Sequence, residues 1–126
     1  MVSATVTSTR DRILVVEDNY LVSSALRNLL EDFGWEVVGP VASVDEGMAH
    51  AASEKLTGAV LDINIIGGTS APIAERLRER RCPFLFISGY GSPVHLPPPL
   101  RAVRRLAKPI EESVLKHELD RLIADA

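Results

Sequence analysis

Polar side chains follow four separate apolar runs of the sequence, at the points where those runs end. They are three carboxylates, a hydroxyl next to a glycine, and an ammonium: Glu17, Asp18, Asp62, Ser88, Gly89 and Lys108. If the runs are parallel strands, their carboxyl ends meet at one edge of a sheet, where folds of this kind bind ligands. The six residues are therefore candidates for a single polar site.

The three carboxylates set the chemistry of such a site. At separations of about 5 Å and an effective dielectric constant of about 20, they repel by roughly 3 kcal/mol per pair. One lysine offsets only part of this repulsion, so either a carboxyl is protonated or a divalent cation binds. All candidate ligands are hard oxygens, and no histidine or cysteine ends a strand. This donor set favours Mg²⁺ over zinc.

Short apolar runs alternate with amphipathic stretches along the chain. The predicted strands cover residues 13–16, 36–42, 59–63, 83–88 and 102–107, and the predicted helices cover about 21–33, 43–54, 71–80 and 110–123. Gly34 stands where a C-terminal cap is expected, and Ser43 with Glu46 forms a capping-box pattern. Pro40 suggests that the second strand runs near a sheet edge.

The alternation predicts an α/β fold with a parallel sheet covered by helices on both faces. One stretch breaks the pattern, because prolines at 93, 97, 98 and 99 exclude a full-length helix between residues 92 and 100. The fourth helix is expected to be short or irregular. Residues 1–10 are interpreted as a flexible tail and residues 11–126 as one domain.

Composition narrows the function classes. The chain has 126 residues and a formal net charge of −3, which argues against nucleic-acid binding as its main role but leaves room for a local basic patch. The four arginines between residues 76 and 81 are interpreted as a solvated helix face. The single cysteine, Cys82, indicates a reducing compartment. With neither a signal peptide nor an apolar run of membrane-spanning length, we expect a cytoplasmic protein with no membrane partner.

The run Ile13-Leu-Val-Val-Glu-Asp-Asn19, followed by Asp62, Ser88 and Lys108-Pro109, resembles the receiver domain of two-component response regulators. The resemblance covers about residues 11–125. It implies a flavodoxin-like sheet of five parallel strands in the order 2-1-3-4-5. It also implies a cis peptide bond between Lys108 and Pro109.

The resemblance also implies the roles of the site residues. Asp62 matches the phosphoacceptor position, and Glu17 and Asp18 match the acidic pair that binds Mg²⁺ together with Asp62. Asn64 matches the position whose backbone carbonyl completes the metal site. Lys108 matches the lysine that neutralises the phosphoryl group.

Ser88 matches the switch hydroxyl, and the N–H of Gly89 would bind a phosphoryl oxygen. In most receivers an aromatic residue stands three positions before the lysine, where this chain has Arg105. Tyr90, two positions after Ser88, is a possible substitute, and it is similar to a subgroup of single-domain receivers that read Phe-Ala-Thr-Gly followed closely by Tyr. We expect the segment Gly89–Leu100 to move on activation.

The predicted function is that of a phosphoacceptor module in a two-component phosphorelay, not an enzyme. Its expected partners are a sensor histidine kinase or phosphotransfer protein and a downstream protein target. The sequence is compatible with a phosphate sink or with an adaptor. The protein is expected to be a monomer or a phosphorylation-dependent dimer.

Other interpretations remain open at this point. The chain could be a degenerate receiver that binds partners without phosphate, an aspartyl phosphatase or a flavin-binding protein. The last two fit poorly, because their expected aspartate pair and phosphate loop are missing after the first strand. Asp18 could serve only as the N-cap of the first helix, and Lys108 could be an ordinary solvated lysine.

Overall fold

The computed structural model of the protein describes residues 10–89 and 96–125. Its strands are β1 (Arg12–Val16), β2 (Glu36–Val41), β3 (Gly58–Asp62), β4 (Asn64–Ile65), β5 (Gly68–Thr69), β6 (Phe84–Ser88) and β7 (Arg105–Ala107). Its helices are α1 (Tyr20–Asp32), α2 (Val44–Ser53), α3 (Ala71–Glu79) and α4 (Glu112–Ala124), with one 3-10 turn at Pro98–Leu100.

Five of the strands form one parallel sheet in the order β2-β1-β3-β6-β7. When the two-residue strands β4 and β5 are set aside, this is the predicted order 2-1-3-4-5. The central strands β3 and β6 are buried along their whole length. Burial on both faces explains why these runs are apolar without a polar alternation. The prediction of a doubly wound parallel sheet is confirmed.

Successive side chains of β3 pack on opposite sides of the sheet. Ala59 and Leu61 belong to the apolar layer that includes residues of α2 and α3. Val60 belongs to the other layer, which includes residues of α1 and α4. Because strand side chains alternate with a period of two, Asp62 follows Val60 on the side of α1 and α4.

The ends of α1 are fixed by local hydrogen bonds. Asn19 is the N-cap, and its side-chain oxygen accepts a hydrogen bond from a first-turn N–H. Beyond the helix, Gly34 has a φ of 95°. The N–H of Gly34 donates to the carbonyl of Glu31 (2.9 Å), and the N–H of Trp35 donates to the carbonyl of Leu30 (3.1 Å). This is a Schellman motif, and the predicted glycine cap is confirmed.

The predicted capping box at the start of α2 is also present. The Ser43 hydroxyl oxygen accepts a hydrogen bond from the N–H of Glu46 (3.2 Å). The Glu46 carboxylate accepts hydrogen bonds from the hydroxyl of Ser43 (3.1 Å) and the N–H of Ala42 (3.4 Å). The bond from Glu46 satisfies a donor that the first helical turn would otherwise leave unpaired, and the Glu46 carboxylate reaches back to the N–H of Ala42, one residue before the N-cap.

β2 lies at the edge of the sheet, as Pro40 predicts. The Gly39–Pro40 peptide bond is cis, and Gly39 has a φ of 93°. A Cβ atom on Gly39 would lie 2.9 Å from the backbone nitrogen of Val41 and 3.0 Å from the carbonyl oxygen of Val15. Only glycine fits this position without displacing backbone.

Two stretches differ from the predicted elements. No strand was predicted between residues 63 and 71, but Asn64–Ile65 and Gly68–Thr69 pair as an antiparallel hairpin around a turn at Gly67. The last strand was expected to begin at residue 102 but begins at Arg105, because the preceding residues form a turn after Leu100.

The proline-rich stretch contains no regular α-helix in its described part, residues 96–100. Pro98–Leu100 form a single 3-10 turn, and Leu96 and Leu100 are buried on either side of the prolines. Two expectations fall partly or wholly on residues outside the described ranges: the flexible tail at residues 1–10, and the part of the moving segment at residues 90–95.

Candidate functional site

Three carboxylates meet at the carboxyl ends of β1 and β3. Glu17, Asp18 and Asp62 each offer one oxygen, and these oxygens lie within 4.8 Å of one another. Glu17 and Asp62 are 2% and 6% exposed, whereas Asp18 is exposed. The structure thus brings together the three acids that the sequence places at strand ends.

Backbone groups hold Glu17 in place. Its N–H donates to the carbonyl of Val41 in the neighbouring strand (2.9 Å), and its carboxylate accepts a hydrogen bond from the N–H of Asn19 (2.9 Å). Asn19, not Asp18, is the N-cap of α1. The interpretation of Asp18 as a mere helix cap is therefore wrong.

Lys108 reaches the same site from the end of β7. Its backbone N–H donates to the carbonyl of Ser88 (2.8 Å), and its peptide bond to Pro109 is cis, as the family resemblance implies. The ammonium lies 2.6 Å from Oε1 of Glu17 and 3.3 Å from Oδ2 of Asp62. Lys108 is an ion-pairing residue of the site, and its interpretation as a solvated lysine is wrong.

Burial and charge shift the proton equilibria of the site. Burial, followed by the neighbouring charge of Glu17, raises the pKa of Asp62 to about 6, although Lys108 acts in the opposite direction. Burial lowers the pKa of Lys108, but its contacts with Glu17 and Asp62 outweigh that effect and leave the pKa raised. At neutral pH Asp62 is a carboxylate and Lys108 an ammonium, and the cluster carries excess negative charge.

This donor set fits a hard divalent cation. With Lys108 protonated, Glu17, Asp18 and Asp62 leave about two negative charges at one place, and all of their ligand atoms are oxygens. Mg²⁺ is bound in proteins by a few carboxylates, with water and phosphate oxygens completing an octahedron. A bound cation would relieve the repulsion between Glu17 and Asp62.

The other predicted site residues surround this cluster. Asn64 is exposed at the start of β4, two residues beyond Asp62. Ser88 is buried at the end of β6, the strand adjacent to β3. Gly89 follows it and is partly exposed. Their roles in metal and phosphoryl binding remain predictions.

Two residues relate to the missing aromatic residue three positions before Lys108. Arg105, at the position of the usual aromatic residue, is exposed at the start of β7. Tyr90, the possible substitute, lies outside the described residues.

One functional residue, Asn19, was missed as such from the sequence. It caps α1 and also donates its N–H to the buried carboxylate of Glu17. The available signal was that asparagine is among the preferred N-cap residues and stands directly before the apolar stripe of the helix.

Comparisons with known proteins agree with this arrangement. The family model for the response regulator receiver domain matches residues 13–120. No protein with a curated description matches the sequence. Among the described residues, no helix is both long and apolar enough to cross a membrane.

Several solved structures are similar over nearly the whole chain. SdrG from Sphingomonas melonis Fr1 is 33% identical with a TM-score of 0.80, covering 93% of this chain and 99% of that one. A CheY-like receiver domain protein from Methanospirillum hungatei JF-1 is 24% identical with a TM-score of 0.75, covering 94% and 100%.

The receiver domain of the sensor histidine kinase PA1611 from Pseudomonas aeruginosa PAO1, solved with a magnesium ion coordinated in its active-site cleft, has the same fold. It is 20% identical with a TM-score of 0.72, covering 92% of this chain and 99% of that one. The match over residues 13–120 and the 33% identity to SdrG establish the family. The chain belongs to the response regulator receiver domains, the phosphoacceptor modules of two-component signalling.

Proposed function

We propose that Asp62 is the phosphoacceptor of this receiver and that it takes its phosphoryl group from a phosphohistidine of a sensor kinase or phosphotransfer protein. The observation that supports this assignment is the position of the Asp62 carboxylate. It lies within 4.8 Å of the oxygens of Glu17 and Asp18 and 3.3 Å from the ammonium of Lys108. A nucleophile, a set of oxygen ligands and a fixed cation thus share one place.

The chemistry is a phosphoryl transfer in which one bond replaces another. A carboxylate oxygen of Asp62 forms a bond to phosphorus while the bond from phosphorus to the donor histidine nitrogen breaks, and that nitrogen keeps the electron pair. The acceptor must be ionised, and with a pKa of about 6 it is ionised at pH 7.5. Lys108 stabilises the negative charge on the transferring oxygens, which is the main kind of help a protein gives this reaction.

Glu17, Asp18 and Asp62, together with the backbone carbonyl of Asn64, would hold Mg²⁺. When bound, the ion supplies charge neutralisation for the phosphoryl oxygens and orients them toward the acceptor. The protein's contribution is a pre-formed set of ligands, since hydrogen bonds from the backbone already fix Glu17.

Ser88 and Gly89 would receive the new phosphoryl group. Ser88 ends β6 and is joined to Lys108 by a backbone hydrogen bond of 2.8 Å. A hydroxyl that turns toward phosphate at this point would move the segment after β6. Phosphorylation would then shift the population between two states of that face.

The output is expected to pass through another protein that recognises the phosphorylated face. A phosphate sink and an adaptor differ in how long the acyl phosphate on Asp62 survives. A short lifetime favours the sink, and a long lifetime favours the adaptor.

The test is incubation of the full chain with Mg²⁺ and acetyl phosphate, followed by intact-mass measurement. The wild type is expected to gain one phosphoryl group, and Asp62→Asn to gain none. Asp45→Asn, a change of the same type at an exposed site on α2, is expected to behave as the wild type. Phosphorylation of Asp62→Asn to the wild-type extent would overturn the assignment.

A further inference from the structure

A groove of about 520 Å³ lies at the opposite end of the sheet from the phosphoacceptor. Its lining comes from the end of α3 and the residues after it, the start of β6, the turn before β7, and α4. Phe84 in the groove and Ser88 near the site are the two ends of β6. At about 3.3 Å per residue, they are separated by about 13 Å.

The floor of the groove is apolar. It includes Pro83, Phe84, Val103 and Leu122. Cys82 also lines the groove. Burial raises the pKa of its thiol to about 11, so the thiol stays protonated and uncharged and adds to the apolar floor. A ligand that covers this floor must bring apolar side chains.

The rim of the groove is basic. Arg78, Arg81 and Arg104 line it, and all three are exposed. They belong to a section of the chain, residues 76–105, that contains seven arginines and a single acidic residue, Glu79, although the whole chain has a net charge of −3. Glu79 is already paired with Arg76 at 2.9 Å.

Contacts within the described chain offset little of this positive charge. The guanidinium of Arg78 donates to the neutral carbonyl of Pro99 (2.7 Å). Arg104 pairs with Glu118 at 3.2 Å but keeps 53% of its side chain exposed. The rim therefore retains a positive potential toward solvent.

Arg81 is held in an unusual backbone conformation. Its φ is 58°, and it is the one non-glycine residue with positive φ in the described chain. It occupies the left-handed position of a Schellman motif at the end of α3, where the N–H of Cys82 donates to the carbonyl of Leu77 (2.9 Å). The same motif at the end of α1 uses glycine, Gly34. An arginine here costs backbone energy that glycine would not, while it places a cation at the rim.

We propose that this groove binds an acidic segment of a partner protein that also carries bulky apolar side chains. The planar guanidinium group of arginine can donate two parallel hydrogen bonds to a carboxylate. The apolar floor requires that the ligand also carry apolar side chains. A nucleic acid would satisfy the rim but leave the floor uncovered. The proposal does not depend on phosphorylation of Asp62, because the groove and the acidic cluster lie at opposite ends of the sheet.

The test is selection of random peptides displayed on phage against the immobilised full chain, followed by affinity measurement of enriched peptides at physiological salt. Enrichment of peptides that combine acidic with large apolar residues is expected. Arg81→Gly should weaken their binding about tenfold, the loss of one charge-assisted contact. It should also raise the melting temperature by a few degrees, because it relieves the backbone conformation.

Arg27→Gln, which removes an exposed arginine of α1, is the matched control and should leave affinity unchanged. Phosphorylation by acetyl phosphate should be the same in Arg81→Gly and wild type. The proposal for the groove can therefore fail while the assignment of Asp62 as phosphoacceptor holds, and the reverse. Several outcomes would overturn the proposal. They are no enrichment, enriched peptides without acidic residues, equal binding by Arg81→Gly, and displacement of the peptides by single-stranded DNA or by self-association of the chain.

Discussion

The ammonium of Lys108 lies 2.6 Å from the carboxylate of Glu17. This is closer than its 3.3 Å approach to Asp62, the proposed acceptor. One cation is therefore shared by two buried carboxylates that repel each other. The energetics of the site depend on how this shared charge changes when an acid is neutralised or a second cation binds.

Neutralising Asp62 is expected to stabilise the metal-free fold. The pKa of Asp62 is about 6 in the folded chain and 3.8 in the unfolded chain. The folded state therefore binds more protons between about pH 4 and pH 6, and the free energy of unfolding falls as pH rises through that window. Allowing for solvent screening, the loss at pH 7.5 is about 1 kcal/mol.

Asp62→Asn should recover this stability in urea titrations performed in EDTA at pH 7.5. Its advantage over the wild type should shrink when millimolar Mg²⁺ replaces EDTA. Asp45→Asn should show no gain under either condition. A lower stability of Asp62→Asn than of wild type in EDTA would contradict the electrostatic account.

Mg²⁺ affinity is expected to fall in acid, because the ion and a proton compete for Asp62. Below the pKa of about 6, affinity should drop by about tenfold per pH unit. Calorimetric titrations at pH 6 in buffers of different ionisation enthalpy should detect proton release on binding. An affinity that is constant between pH 7 and pH 5 would show that Asp62 is not a ligand.

Removing the shared cation is expected to destabilise the fold. Lys108→Ala leaves Glu17 and Asp62 without their positive neighbour, and the free energy of unfolding in EDTA should fall by about 2 kcal/mol. The rate of phosphorylation by acetyl phosphate should fall about a hundredfold. Lys55→Ala, at an exposed lysine, is the control for loss of a lysine charge.

The double variant Lys108→Ala, Asp62→Asn separates the two causes. If repulsion between the carboxylates is the reason for the loss, neutralising Asp62 should restore most of the stability. Strictly additive effects of the two changes would argue against coupling through charge.

Gly39 and Gly34 should respond differently to alanine, although both have positive φ. A Cβ on Gly34 meets nothing within 4 Å, whereas one on Gly39 meets backbone atoms of Val41 and Val15. Gly34→Ala should cost about 1 kcal/mol from its backbone conformation alone. Gly39→Ala should cost about 2 to 4 kcal/mol. Thermal unfolding measures both, and equal losses would refute the steric argument.

The larger elements and the acidic cluster could be predicted because each leaves a local signal. The fully buried strand β3 is a continuous apolar run that ends in Asp62, and parallel topology then fixes which edge the acid occupies. The hairpin of Asn64–Ile65 with Gly68–Thr69 left no such signal, because two-residue strands have no periodicity.

The basic groove could not be predicted for a different reason. The residues that line it are near positions 80, 103 and 122, which are far apart in the sequence. Only the tertiary structure shows that arginines predicted to form a solvated helix face lie at the rim of a groove. The left-handed conformation of Arg81 was also hidden, because at such positions the sequence rules anticipate glycine or asparagine.

The pleat of β3 has a consequence for how this protein can vary. The side chain of Asp62 lies on the same side of the sheet as that of Val60, opposite to that of Leu61. Deleting or inserting one residue within the strand would therefore move the Asp62 side chain to the other side of the sheet. The carboxylate would then point into the apolar layer against α2 and α3, away from Lys108. Exchange of one aliphatic residue for another within β3 is tolerable. An insertion or deletion within β3 keeps Asp62 on its side of the sheet only if it involves an even number of residues or if the preceding turn changes length to compensate.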